Sequence, residues 1–180
     1  MWRLTCAVEV GSVSTERMPN MIWLLALSAV TAAAATAEDL WRRRISNWIS
    51  GLALAAGLAA HLALGGWSGL GDSALGALIG FAAFLLFFLM GGMGGGDVKL
   101  MAAFGAILGS KQILMAAILA AMAGGLMALV FVAYQAARRA LGKGSEASPI
   151  RKQYIPYAPA ISFGALLSFL SEDELWTNVY

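Results

Sequence analysis

The sequence predicts an all-α, polytopic membrane protein, a bundle of about six transmembrane helices, on three observations. The 180 residues are 60% hydrophobic and only 12% charged, with mean hydropathy +0.76, where a soluble domain is nearer half apolar and a quarter charged. The apolar residues fall into long runs separated by short polar or glycine-containing breaks. There is no alternating apolar–polar stretch of the kind a half-buried strand needs.

The first apolar run covers Met21 to Ala37 and the second Trp48 to Leu64. The third covers Leu75 to Met90, the fourth Val98 to Leu108, the fifth Ile113 to Tyr134 and the sixth Ile155 to Leu170. A spanning helix needs about 20 apolar residues, with about 17 as a lower limit. The fourth run is short, about 18 Å at 1.5 Å per residue. Its predicted extension is the glycine run Gly94-Gly95-Gly96 as unwound backbone, which is tolerated at membrane depth only inside protein or beside a wet cavity. Glycines and alanines in the other runs, Gly124-Gly125 among them, suit close helix packing in lipid.

Residues 1–20 are weakly patterned and read either as an unstructured extension or as sequence upstream of a true start at Met18 or Met21. Residues 21–171 form the transmembrane domain, and 172–180 an acidic tail carrying Glu172, Asp173 and Glu174. The hydrophilic stretch Arg138 to Gln153 reads as a flexible connector. Nine of the twelve lysines and arginines fall on one side of a six-span arrangement, in the breaks after the first, third and fifth runs. By the positive-inside rule that side is cytoplasmic and both termini lie outside. Asp39 and Asp97 are then on the cytoplasmic side. A net charge of +2 in such a chain reports topology, not nucleic-acid binding.

Carboxylates within apolar segments are costly and mark functional sites by default. Glu38, Asp39 and Asp97 are the acids so placed. Two facing carboxyls can share one proton, because like charges held close do not both ionise easily. One then takes a proton from water while the other protonates a carbonyl oxygen, the chemistry of aspartic proteolysis. Plainer readings stand beside this one. Asp39 pairs with Arg42 or Arg43 at the interface, and Asp97 caps the helix that follows it. Glu38 points about 100° away from Asp39 on a helix. The single histidine, His61, and single cysteine, Cys6, supply no Ser-His pair, disulfide framework or zinc cluster. No metal and no cofactor is expected.

The segment from Asp39 through Arg42-Arg43-Arg44-Ile45-Ser46-Asn47 resembles the first catalytic motif of type IV prepilin peptidases. Gly94-Gly95-Gly96-Asp97-Val98-Lys99-Leu100 resembles the GxGD motif of the same family, and Ile155-Pro156-Tyr157-Ala158-Pro159-Ala160 the start of its last helix. The resemblance covers about Met21 to Leu170. It implies that Asp39 and Asp97 are the catalytic pair of a GxGD-type intramembrane aspartyl protease, with Gly94, Gly95 and Gly96 shaping the backbone beside the second aspartate. Lys99 and Asn47 match the pattern without an assigned chemical role. Ser46 stands where the family usually has proline; it or Asn47 is expected to cap the second helix. The resemblance also implies a prepilin substrate with a short basic leader and a hydrophobic helix, pilus-assembly partners, and a lipid bilayer as the medium. With one cysteine and no paired CxxC motifs, the chain looks like the short peptidase-only form found with tight-adherence (Flp-type) pili. A small transporter with a cation at Asp97, or an inactive scaffold of a pilus-assembly complex, are the competing readings.

Overall fold

The computed structural model describes residues 3–42, 45–91, 93–140 and 157–177, with side chains described within 21–138 and 157–169. Four helices follow in order: α1 (Arg3–Arg42), α2 (Asn47–Leu89), α3 (Gly95–Ala140) and α4 (Ala158–Thr177). There is no strand among the described residues. The count is four, not the expected six, because the second and third runs belong to α2 and the fourth and fifth to α3. Each of these long helices is interrupted by a single glycine. Gly66 has φ 60°, ψ −146° and Gly109 has φ 79°, ψ 175°, conformations open to glycine and strained for any other residue.

These glycines reverse the chain. In a straight helix Met101 and Ile113 would stand about 18 Å apart. Yet a Cβ built on Gly80 would lie 2.6 Å from Met101 O and 3.2 Å from the Ile113 side chain. Likewise a Cβ on Gly69 would overlap the carbonyl oxygen of His61, eight residues back and about 12 Å away in an unbroken helix. The polar loops expected over residues 65–74 and 109–112 are thus each reduced to one residue.

In the first half of α2, buried Ser50, Ala53 and Gly57, and in the second half Ser73, Gly76, Gly80 and Phe84, recur every three or four residues, so each half has one buried face. Both faces pack on the first half of α3, where Leu100, Met101, Ala103, Phe104, Ala106 and Ile107 are fully buried. Glycine lets the backbones meet. A Cβ on Gly57 would lie 2.8 Å from Ala106 C, and one on Gly76 would overlap Gly105 O. Close approach of this kind is how helices associate in lipid, where apolar burial supplies little drive.

Polar groups fix the end of the bundle that carries the two reversals. Ser73 Oγ donates to Ala106 O at 2.7 Å, and His61 Nε2 lies 3.0 Å from Ile107 O. Asp72 accepts from Ser110 N (3.4 Å) and Ser110 Oγ. Asp72 therefore lies within α2 and holds the start of the second half of α3. The outer face of that half is apolar and exposed: Leu114, Ile118, Met122, Leu126 and Leu129 form a stripe at helical spacing. Three helical stretches, Met21–Arg42, Asn47–Leu89 and Gly95–Arg138, are long and apolar enough to cross a membrane. The bundle is that of a polytopic membrane protein.

Arg43, Arg44 and most of the hydrophilic stretch Arg138 to Gln153 lie outside the described residues, as does 178–180 of the acidic tail. The backbone of residues 3–20 is helical, continuous with the remainder of α1.

Candidate active site

Asp39 sits near the C-terminal end of α1 and Asp97 in the first turn of α3, 0% and 1% exposed respectively. Both occupy the end of the bundle opposite the two reversals. They lie within electrostatic reach of each other, so the fold brings together the two acids singled out from the sequence.

Each carboxylate is held by a helix start. Asp39 Oδ2 accepts from Ala158 N, the first residue of α4, at 3.1 Å. The first N–H groups of a helix have no partner within it, and Pro159 has none to give, so the Ala158 N–H is free to turn to Asp39. The contact joins residues 119 apart in sequence, and α4 is kept against α1 by Thr36 Oγ1 to Ser162 Oγ (3.2 Å) and Ser162 Oγ to Ala32 O (3.4 Å). Asp97 Oδ2 accepts from Gly94 N at 3.2 Å, while Asp97 N donates to Gly94 O at 3.1 Å. This is the back-reaching half of a capping box. The capping reading of Asp97 therefore holds for one oxygen. The other, Oδ1, is buried with no hydrogen-bond partner. A buried polar atom left unpaired is costly, so this oxygen is a place for a ligand.

The glycine run differs from its expected form. α3 starts at Gly95, so Gly95 and Gly96 are helical, and only Gly94 of the three lies in the unwound turn. Gly96 serves close packing: a Cβ there would lie 3.2 Å from Ile45 Cβ. The turn between α1 and α2 is thereby pressed against the start of α3. Two polar contacts hold the same turn. Glu38 Oε2 accepts from Ser46 N at 2.8 Å, and Lys99 Nζ donates to Asn47 Oδ1 at 2.8 Å. Ser46 occupies the N-cap position of α2 without a side-chain cap bond, and Asn47 bonds Lys99, so neither caps as expected. The backbone donor of Ser46 is satisfied from α1 instead. Glu38, set aside in the sequence because it faces away from Asp39, ties the turn down. Its pairing with Arg42 is loose, at 3.8 Å.

Tyr157, immediately before α4, was missed as a site residue, and only its place in the proline-containing segment hinted at it. Burial, then the charge of Asp97, pushes its phenol above the ordinary tyrosine value, so it stays a neutral hydroxyl. Tyr157 also lines a cavity of about 200 Å³ with Phe84, Phe87, Met93, Gly124 and Gly125.

Paired buried carboxylates at one end of a polytopic helical bundle define a membrane protein with a two-aspartate site. The sequence profile of the type IV leader peptidase family matches residues 23–129, and the chain belongs to that family. The matched region contains Asp39 and Asp97 and ends before α4. A prepilin leader peptidase/N-methyltransferase of Bacillus subtilis (strain 168) is 33% identical over 110 residues, 58% of this chain. The alignment takes in 40% of that relative's length. No solved structure matches.

Proposed function

We propose that this protein is an aspartic endopeptidase that removes the leader of a prepilin at the cytoplasmic face of the membrane. The observation that carries the reading is the burial of Asp39 and Asp97 together, each anchored by a backbone N–H, within a chain of the leader peptidase family. The ionised carboxylate of the pair takes a proton from a water molecule as the water oxygen attacks the scissile carbonyl carbon. The protonated carboxyl gives its proton to the carbonyl oxygen. The tetrahedral intermediate then collapses, the C–N bond breaks, and the leaving amine is protonated by the pair. The unpartnered Oδ1 of Asp97 is the acceptor or donor left open for that exchange.

Charge distribution favours the cytoplasmic side for the site, and the single cysteine favours a peptidase without the paired CxxC motifs of bifunctional relatives. Assembly with the Flp-type class of pili fits the same features. The test is purified protein in vesicles, incubated with a prepilin and followed by mass spectrometry. Loss of the leader at one bond is the expected result. An uncut prepilin that nevertheless binds would favour a scaffold and reject the peptidase.

A further inference from the structure

The end of the bundle opposite Asp39 and Asp97 holds a second set of polar side chains that the proposed reaction does not use. Asp72 is an acid inside a long apolar helix, a costly placement that marks a site by default. It stands eleven residues after His61, about 16 Å along an unbroken helix. The reversal at Gly66 brings the two to one place. A Cβ built on Gly109 would overlap Asp72 Oδ2 and lie 3.6 Å from His61 Cε1. The carboxylate and the imidazole edge thus border the same bare Cα.

Each group is oriented as a metal ligand is. Ile107 O can only accept a hydrogen bond, so His61 Nε2, 3.0 Å away, carries the proton of the neutral ring. The lone pair is then on Nδ1. Asp72 Oδ1 accepts from the N–H and the hydroxyl of Ser110, while Oδ2 faces Gly109. Metal-binding imidazoles are held in this way by a backbone carbonyl on the second nitrogen, and metal-binding carboxylates are themselves hydrogen-bonded. His61, Asp72 and Ser110 are half-buried, so an ion and its waters can reach them.

We propose that His61 Nδ1 and Asp72 Oδ2 bind a divalent transition-metal ion of the zinc class over the bare Cα of Gly109. No group of three or more His, Cys, Asp or Glu gathers among the described residues, so water supplies the remaining ligand positions. One imidazole beside one carboxylate suits zinc, cobalt or nickel, whereas magnesium and calcium take all-oxygen sites. Metal bonds of about 2.0–2.2 Å tie the first half of α2 to its second half across the Gly66 reversal, and Ser110 carries the tie to α3. The site braces the fold and does not depend on the peptidase reading.

The test is calorimetric titration of the full-length protein, freed of metal with a chelator, with zinc chloride and with magnesium chloride. One zinc ion per chain and no magnesium is the expected result, and zinc should raise the melting temperature. His61→Gln keeps an N–H for Ile107 O, and Asp72→Asn keeps an oxygen for Ser110. Each should weaken zinc binding tenfold or more and remove the rise in melting temperature. Ser110→Ala leaves both ligand atoms in place and should weaken binding about tenfold, the effect of losing an outer support. Cobalt(II) bound to wild type should show imidazole ligation in its spectrum, which keeps the proposal testable if a ligand variant does not fold. No zinc binding by wild type at about 1 mM, unchanged affinity in both ligand variants, or a cobalt spectrum of oxygen ligands alone overturns the site. Zinc binding kept in His61→Gln but lost in Asp97→Asn would place the ion on the catalytic carboxylates and also overturn it.

Discussion

The crossing of α2 and α3 can be probed at Gly57. An alanine Cβ there would stand 2.8 Å from Ala106 C, 2.9 Å from Ile107 N and 3.0 Å from Ala106 O. All three are backbone atoms, which cannot swing aside. Ordinary contact begins at 3.4 Å, so the helices must separate by about half an ångström. The neighbouring contacts His61–Ile107 O (3.0 Å) and Ser73–Ala106 O (2.7 Å) would lengthen with them. Overpacking of this kind costs about 1–3 kcal/mol, while Gly→Ala in a helix returns up to about 1 kcal/mol. Gly51, on the same half of α2, has nothing within 4 Å, so Gly51→Ala takes the gain without the clash. The propensity contribution cancels between the two variants. Gly57→Ala is expected to be less stable than Gly51→Ala by about 2 kcal/mol, or about thirtyfold in the unfolding constant. Denaturant titration of both proteins in the same bicelles reads the difference. Equal stabilities, or a more stable Gly57→Ala, would refute the close backbone crossing on which the placement of Asp97 depends.

Three further outcomes are expected. Glu38→Ala should destabilise the protein by about 1–2 kcal/mol, because the partly buried N–H of Ser46 loses its acceptor. Arg42→Ala should change stability by less than about 0.5 kcal/mol, its pairing being loose and exposed; the two melting curves decide. Lys99→Ala and Asn47→Ala should each slow leader cleavage severalfold, and the double variant should be no worse than the single ones, since both lose the same bond. Additive losses in the kinetic cycle would contradict a shared role. For Tyr157, the folded-state value lies above the unfolded one, so the neutral phenol is favoured on folding. Any effect on stability is absent below the unfolded value near 10 and appears as a loss above it. The phenolate absorbance missing from Tyr157→Phe should therefore arise in wild type only above pH 10, and a signal below that would contradict the buried placement.

The sequence made the helical rods readable because lipid demands long uninterrupted apolar runs, and both aspartates stood out because a carboxylate is so costly there. The reversals at Gly66 and Gly109 were not readable as single residues. Hydropathy marks where an apolar run weakens, but it does not report the φ of one glycine. The helical state of Gly95 and Gly96 was hidden for a related reason. Glycine permits unwinding, and only the tertiary contact of Gly96 with Ile45 explains why the chain needs it without unwinding. The bond from Ala158 N to Asp39 leaves no trace in side-chain chemistry, since a backbone donor looks alike at every non-proline position. Glu38 was passed over because its angle to Asp39 was considered and its reach to Ser46, past the end of the helix, was not.

The joint action of Asp39 and Asp97 is tested most directly by leader cleavage with Asp39→Asn and Asp97→Asn, each purified in vesicles. Each amide keeps the shape of its site and an oxygen for Ala158 N–H or Gly94 N–H, so the fold should survive. Cleavage should be abolished in both variants alike. Normal leader removal by either one, in protein shown to be folded, would contradict the two-aspartate site.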